Sequence, residues 1–262
     1  MINRLPLQAK GVLITRGGAQ GKRIGTEIKN QGGIPYIVPL IRFRSYHDPS
    51  AQTYFQQIDE YDWIIFTSKN GVKYFFEQLS IHSPHIQPQM LENRFAVVGE
   101  KTKEFLEKYG VKSKFMPSLY TAEDFSQEFF VEGYASNKIL IAKGNLASKT
   151  IANAFRDRNF IADEMIVYET YFPGESEGEI VELIHKEYLD LLTFTSPSTF
   201  QHFYEIIRKN HLIEQAKNIK IACIGPVTKK KIEKHGFSVD ICPQTYTIAA
   251  MLAEIIATYH QP

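Results

Sequence analysis

The chain repeats itself, and a repeat of about half the 262 residues restricts the available folds more than any other feature. Asp62–Leu79 (DWIIFTSKNGVKYFFEQL) and Asp190–Ile207 (DLLTFTSPSTFQHFYEII) share the Asp, the Phe-Thr-Ser corner, Phe75/Phe203 and Glu77/Glu205 at a spacing of 128 residues. Arg94–Thr121 and Lys220–Thr247 align without a gap at a spacing of 126. That second match pairs Gly99/Gly225, Thr102/Thr228, Gly110/Gly236, Pro117/Pro243 and Tyr120-Thr121/Tyr246-Thr247. VLITRG (Val12–Gly17) and ILIAKG (Ile139–Gly144) form a third pair at 127. Three matches in one register describe a duplicated domain, since a solenoid would repeat every 20–50 residues.

Each half alternates strands and helices. Val12–Thr15, Trp63–Phe66, Phe95–Val98, Ile139–Ile141, Leu191–Phe194 and Ile221–Ile224 are short apolar runs. Such runs suit strands buried on both faces of a parallel sheet. Helical patterns follow them: Lys101–Tyr109 stops at Gly110, Lys229–His235 stops at Gly236, and Ser196-Pro197 reads as N-cap and first helical residue. The alternation predicts a doubly wound α/β fold. Pro35–Tyr46 and Glu164–Pro173 interrupt it at equivalent places and read as paired linkers running between two domains. If the chain crosses twice, the middle forms one domain and the ends form the other; contiguous halves, about 1–134 and 135–262, are the alternative.

Composition narrows the function. Lys plus Arg number 30 against 29 Asp plus Glu, a net charge of +1, whereas nucleic-acid and membrane-surface binders are more often lopsidedly basic. Cys223 and Cys242 make no disulfide scaffold and lack metal-site spacing, and Cys223 reads as a small core hydrophobe. The scattered histidines contain no HExxH, so no metal is assigned. No apolar run reaches the roughly 18–20 residues of a membrane span, and Met1–Lys10 carries no signal-peptide stretch. A cytoplasmic protein is expected.

Anion-friendly corners are the remaining signal. Arg16-Gly17-Gly18-Ala19-Gln20-Gly21-Lys22 is neither GxGxxG nor a P-loop, and reads as a glycine-rich strand-to-helix corner. Thr67-Ser68 and Thr195-Ser196 close two strands, and Gly99 with Thr102 and Gly225 with Thr228 follow two more. Arg16 and Lys143 place one cation after each first strand. Helix capping is the plain reading of these corners. It is compatible with ligand binding, because open α/β sheets bind ligands beyond the carboxyl ends of their strands. Two such rows, facing each other across a hinged cleft, would hold a polyanion without a large net charge.

VLITR, FTSKNGV, AVVGEKTKEFLEKYG, LTFTSPSTF, IACIGPVTKKKIEKHG and PQTYTIAAM together resemble uroporphyrinogen-III synthase over nearly the whole chain. The resemblance implies two flavodoxin-like doubly wound parallel-sheet domains joined by a two-stranded linker. One would span 1–37 plus 173–262, the other 38–172, with linkers at about 35–46 and 164–173. The implied substrate is hydroxymethylbilane, a linear tetrapyrrole with eight carboxylates. Its terminal hydroxyl leaves as water, and the macrocycle closes with ring D inverted through a spiro intermediate. Without enzyme the bilane closes to the uninverted type I isomer. The resemblance implies no metal or organic cofactor. A monomer is the default expectation, and transient contact with hydroxymethylbilane synthase is one the sequence leaves open. Tyr168 matches the family's proposed catalytic tyrosine. Thr195, Ser196, Gly225 and Thr228, with counterparts Thr67, Ser68, Gly99 and Thr102, match its ligand corners, although Lys69 stands where the other repeat has Pro197.

Two other classes stand beside this cofactor-free lyase. A non-catalytic cytosolic two-domain binder of a polyanionic small molecule would fit the hinged design, but a solute-binding protein would usually carry an export signal and a sensor an output domain. A nucleotide-dependent enzyme is disfavoured by the failed phosphate motifs.

Overall fold

A computed structural model describes residues 5–134 and 137–260. Met1–Arg4, the outer limits expected at 1 and 262, and residue 135 at the seam of contiguous halves lie outside the described residues. In chain order the elements are β1 (Gly11–Ile14), α1 (Gly18–Asn30), β2 (Ile34–Ile37), β3 (Arg42–Ser45), α2 (Ala51–Gln56), β4 (Trp63–Phe66), α3 (Lys69–His82), β5 (Arg94–Val97), α4 (Glu100–Glu107), β6 (Ser113–Phe115) and α5 (Ala122–Val131). There follow β7 (Lys138–Gly144), α6 (Thr150–Arg156), β8 (Ile161–Tyr171), α7 (Glu175–His185), β9 (Leu191–Phe194), α8 (Pro197–Lys209), α9 (Ile213–Lys217), β10 (Lys220–Cys223), α10 (Pro226–Glu233) and α11 (Ile248–Tyr259). The chain divides into two compact units, one running through Arg42 and resuming at Tyr171, the other Phe43–Thr170.

The first unit holds a parallel sheet in the order β10-β9-β1-β2, extended by a parallel bridge from Ala222 to Ile241. The central strands β1 and β9 are buried on both faces, as their apolar sequence requires, while the edge strand β2 is only half-buried. On one face Val12 and Ile14 meet Ile24 and Ile28 of α1 and Met251 and Ile255 of α11. On the other, Leu13, Leu192 and Phe194 meet Ile180 of α7, Phe200 and Phe203 of α8 and Ile232 of α10.

The second unit holds the order β3-β8-β7-β4-β5-β6, parallel from β8 to β6. Trp63, Ile65 and Ile141 face Phe125 and Phe129 of α5 and Phe155 of α6. Ile64, Phe66 and Val97 face α2, α3 and α4 through Phe55, Phe75 and Leu106. Matched through the sequence repeats, β8-β7-β4-β5-β6 runs in the same order as β2-β1-β9-β10 and Ile241. Both sheets are doubly wound, and in each the strand–helix–strand that comes first in one half joins strands encoded elsewhere.

The chain passes between the two units at Arg42/Phe43 and at Thr170/Tyr171, inside the two extended stretches, whose residues are largely strand. Pro35–Ile37 belong to β2, paired with Val12–Ile14, while Arg42–Ser45 form β3 beside β8. Glu164–Tyr168 pair with β7. Their hydrogen-bonding groups are used by the neighbouring strands. The glycine-rich corner is a packing device: a Cβ on Gly21 would lie 1.9 Å from the Arg16 carbonyl oxygen, so only glycine lets α1 lie this close to the end of β1. Among the described residues, no helix is long and apolar enough to cross a membrane.

Candidate active site

The carboxyl ends of β4, β7 and β8 bring Ser68, Gly144 and Tyr168 together. Ser68 is extended (φ −159°, ψ 159°) and caps α3, its Oγ accepting the Gly71 N–H at 3.0 Å. The same Oγ lies 3.2 Å from the Tyr168 hydroxyl. Tyr168 is 9% exposed, so its ring is set in the domain with only an edge open. Tyr74 stacks on it with ring centroids 5.6 Å apart, and Phe43 meets it edge-on at 5.9 Å. On the adjacent strand Gly144 pairs with Tyr168 across a register shift at Lys143/Gly144, and a Cβ on Gly144 would stand 2.5 Å from the ring's Cζ. Gly144 therefore makes room for the phenol. Asn145 fixes the backbone on either side, donating its N–H to the Tyr168 carbonyl at 3.1 Å and accepting from Thr170 N–H at 2.9 Å.

The other residues singled out in the sequence divide by environment. Ser196 caps α8 as Ser68 caps α3, accepting from Thr199 N–H at 3.3 Å, so the capping reading of both corners is correct. Gly99 and Gly225 are N-caps of α4 and α10, which carry no side-chain cap, leaving first-turn N–H groups to water or ligand. Thr102 and Thr228 are buried under those turns, so little of either hydroxyl faces outward. Thr67 lines a cavity of about 100 Å³ with Val98, Ile141, Ser148 and Glu164. Thr195 is half-buried, and its Oγ1 is shielded without a hydrogen-bond partner.

The expected pair of equivalent cations is not equivalent. Arg16 is exposed, its Nε donating to Gln20 at 2.9 Å. Lys143 is buried, its Nζ 2.6 Å from Glu164 and 2.8 Å from the Ser148 carbonyl oxygen. Arg156 adds a second cation to Glu164 at 3.2 Å. Burial pushes the Glu164 carboxyl up, but Lys143 and Arg156 outweigh it and hold the group below its usual 4.5. A lysine engaged in this way holds β7, β8 and α6 together rather than reaching for a ligand. Among the described residues, no group of three or more His, Cys, Asp or Glu could hold a metal ion.

Sequence reasoning missed Gly144, Tyr74 and Phe43, which build the seat of the phenol. Only the third repeat, ending at Gly144, pointed near it.

A family model and curated relatives point to one family, and solved structures match the fold. The family model described as uroporphyrinogen-III synthase HemD matches residues 22–253. The chain is 32% identical to a putative uroporphyrinogen-III synthase of Methanocaldococcus jannaschii over 94% of this chain and 98% of that one. It is 29% identical to the uroporphyrinogen-III synthase of Chlorobaculum parvum, covering 94% and 99%. In fold it is similar to a crystal structure of mutant uroporphyrinogen III synthase from the extremely thermophilic bacterium Thermus thermophilus, with TM-score 0.63, 14% identity and coverage of 93% and 96%. A Helicobacter pylori uroporphyrinogen-III synthetase structure gives TM-score 0.57 at 16% identity, covering 95% and 99%. The match of the family model to most of its length shows that this chain belongs to the uroporphyrinogen-III synthase family.

Proposed function

We propose that the chain cyclises hydroxymethylbilane to uroporphyrinogen III, a lyase reaction of tetrapyrrole biosynthesis, with Tyr168 as the residue that assists loss of water. The observation that carries the role of Tyr168 is its hydrogen-bonded contact with Ser68 at the carboxyl edge of a parallel sheet. Gly71 N–H, at the positive end of α3, donates to Ser68 Oγ. Either hydroxyl of the Ser68–Tyr168 pair can donate; in the proposed arrangement Ser68 donates, which leaves the phenol proton for the substrate. Each hydrogen bond in such a chain polarises the next.

The departing group is the bilane's terminal hydroxyl. Its C–O bond breaks as the phenol proton moves to the oxygen, and water leaves. Loss of the pyrrole N–H proton gives the electrophilic azafulvene and restores the phenol. Ring D then attacks through its substituted carbon to form the spiro intermediate, which reopens and closes as the inverted macrocycle. Apart from that proton, the protein's work is to hold the tetrapyrrole in the reactive fold, which is catalysis by orientation. Ser196, Thr67, Gly99 and Gly225, with the main chain rather than the shielded hydroxyl of Thr195, are the proposed contacts for carboxylate arms. In this reading the enzyme acts in the cytoplasm as a monomer on substrate supplied by hydroxymethylbilane synthase.

The test is direct. Purified chain is added to freshly generated hydroxymethylbilane, and the products are oxidised and separated by chromatography. Type III isomer is expected; type I alone removes the reading.

A further inference from the structure

Tyr246 follows Thr245 at the carboxyl edge of the first unit's sheet, and 62% of it is exposed although it is a large aromatic residue. It is nevertheless held in place. Its Cβ, Cγ and Cδ1 lie against Gly225, so closely that a Cβ there would meet Cδ1 at 2.9 Å. The next residue, Thr247, caps α11 by accepting the Ala250 N–H at 3.1 Å, which pins the backbone beneath the ring. Val227, 73% exposed, adds apolar surface two residues beyond Gly225. The protein has built this arrangement twice. Tyr120, 59% exposed, lies over Gly99, where a Cβ would meet Cγ at 3.4 Å, and Thr121 caps α5. A fixed base and an open ring make a preorganised aromatic face that loses little conformational freedom on binding.

The two corners differ in charge. The first turn of α4, beside Tyr120, carries Glu100, whereas the first turn of α10, beside Tyr246, carries no acidic residue. A planar ring bearing carboxylates is therefore better received at Tyr246.

We infer that the Tyr246 ring is a stacking face for one pyrrole of the tetrapyrrole, with Tyr120 a weaker copy of it. The inference rests on the function proposed above and deepens it. Stacking on an aromatic side chain changes affinity by about tenfold or more. The experiment compares Tyr246→Ala, Tyr246→Leu, Tyr246→Phe and Tyr120→Ala in the full chain. It reads KM for hydroxymethylbilane, the isomer formed, the affinity for uroporphyrin III by fluorescence titration, and the melting temperature. Tyr246→Ala and Tyr246→Leu should weaken uroporphyrin binding and raise KM by about tenfold with the melting temperature held, while Tyr246→Phe stays within about twofold of wild type. Tyr120→Ala should have the smaller effect. Wild-type binding and KM in both Tyr246→Ala and Tyr246→Leu, with type III still formed, would overturn the inference and leave the function standing. Type I product from the wild-type chain would instead overturn the function, and the inference with it.

Discussion

Tyr168 and Ser68 sit 100 residues apart in the chain and 3.2 Å apart in the fold, and their separate substitution distinguishes their roles. Tyr168→Phe keeps the ring between Tyr74 and Phe43 and removes the proton, so kcat should fall on the order of 10²-fold without vanishing. Ser68→Ala leaves the phenol in place but cuts the relay. It should lower kcat several-fold and cost α3 about 1 kcal/mol through the lost cap, read as a lower melting temperature. Wild-type turnover in Tyr168→Phe removes that residue's assignment. Gly144→Ala is the sharper steric test, because the new Cβ would stand 2.5 Å from the ring. It should cost about 1–3 kcal/mol in stability and most of the activity, measured by denaturant melts and turnover. Ser68 was legible in the sequence as a helix cap, and Tyr168 through the family resemblance. Gly144 and Phe43 were not, because their contact with Tyr168 arises from strand pairing and register, which no local pattern encodes.

The element that carries Tyr168, β8, is anchored by the Glu164 carboxylate between Lys143 on β7 and Arg156 on α6. Glu164→Gln would leave Lys143 buried without its counter-ion, and should destabilise the protein by about 3–5 kcal/mol in equilibrium unfolding, a cost absent if the pair contributes nothing. The folded-state carboxyl is held below 4.5, so the stabilisation is present above about that pH and is lost as pH falls below it. The sequence showed Lys143 as a cation after a strand and invited a ligand role. Glu164 is 21 residues further on, and only the pairing of β7 with β8 makes it the neighbour that occupies the ammonium. Both extended stretches hold strand residues and the point where the chain passes between units: extended, apolar, β-branched segments read alike whether they connect domains or complete a sheet. Helices were plainer, since Gly110 and Gly236, both at positive φ, mark the ends of α4 and α10 where only glycine adopts that conformation without strain.

The duplicated sequence carries the doubly wound fold class, because each of the three matched segments occupies the equivalent strand of the other sheet. The first unit also predicts an alkaline limit. Burial, reinforced by Cys242, pushes the Cys223 thiol up to about 12, and burial with Asp190 and Asp240 nearby pushes the Tyr259 phenol up to about 12. Between about pH 9 and about 12 the unfolded chain releases protons that the folded chain keeps, so stability should fall as pH rises through that window. Thermal melts at about pH 8 and about pH 10.5 check this, with a lower melting temperature expected at the higher pH and a smaller drop in Cys223→Ala. For the reaction itself, spontaneous closure of hydroxymethylbilane provides an internal clock. The chain is titrated into a fixed pool of fresh bilane, and the fraction of type III isomer is measured at completion. The fraction should climb from near zero towards complete type III at catalytic amounts of protein; a product that stays type I at every concentration contradicts the account.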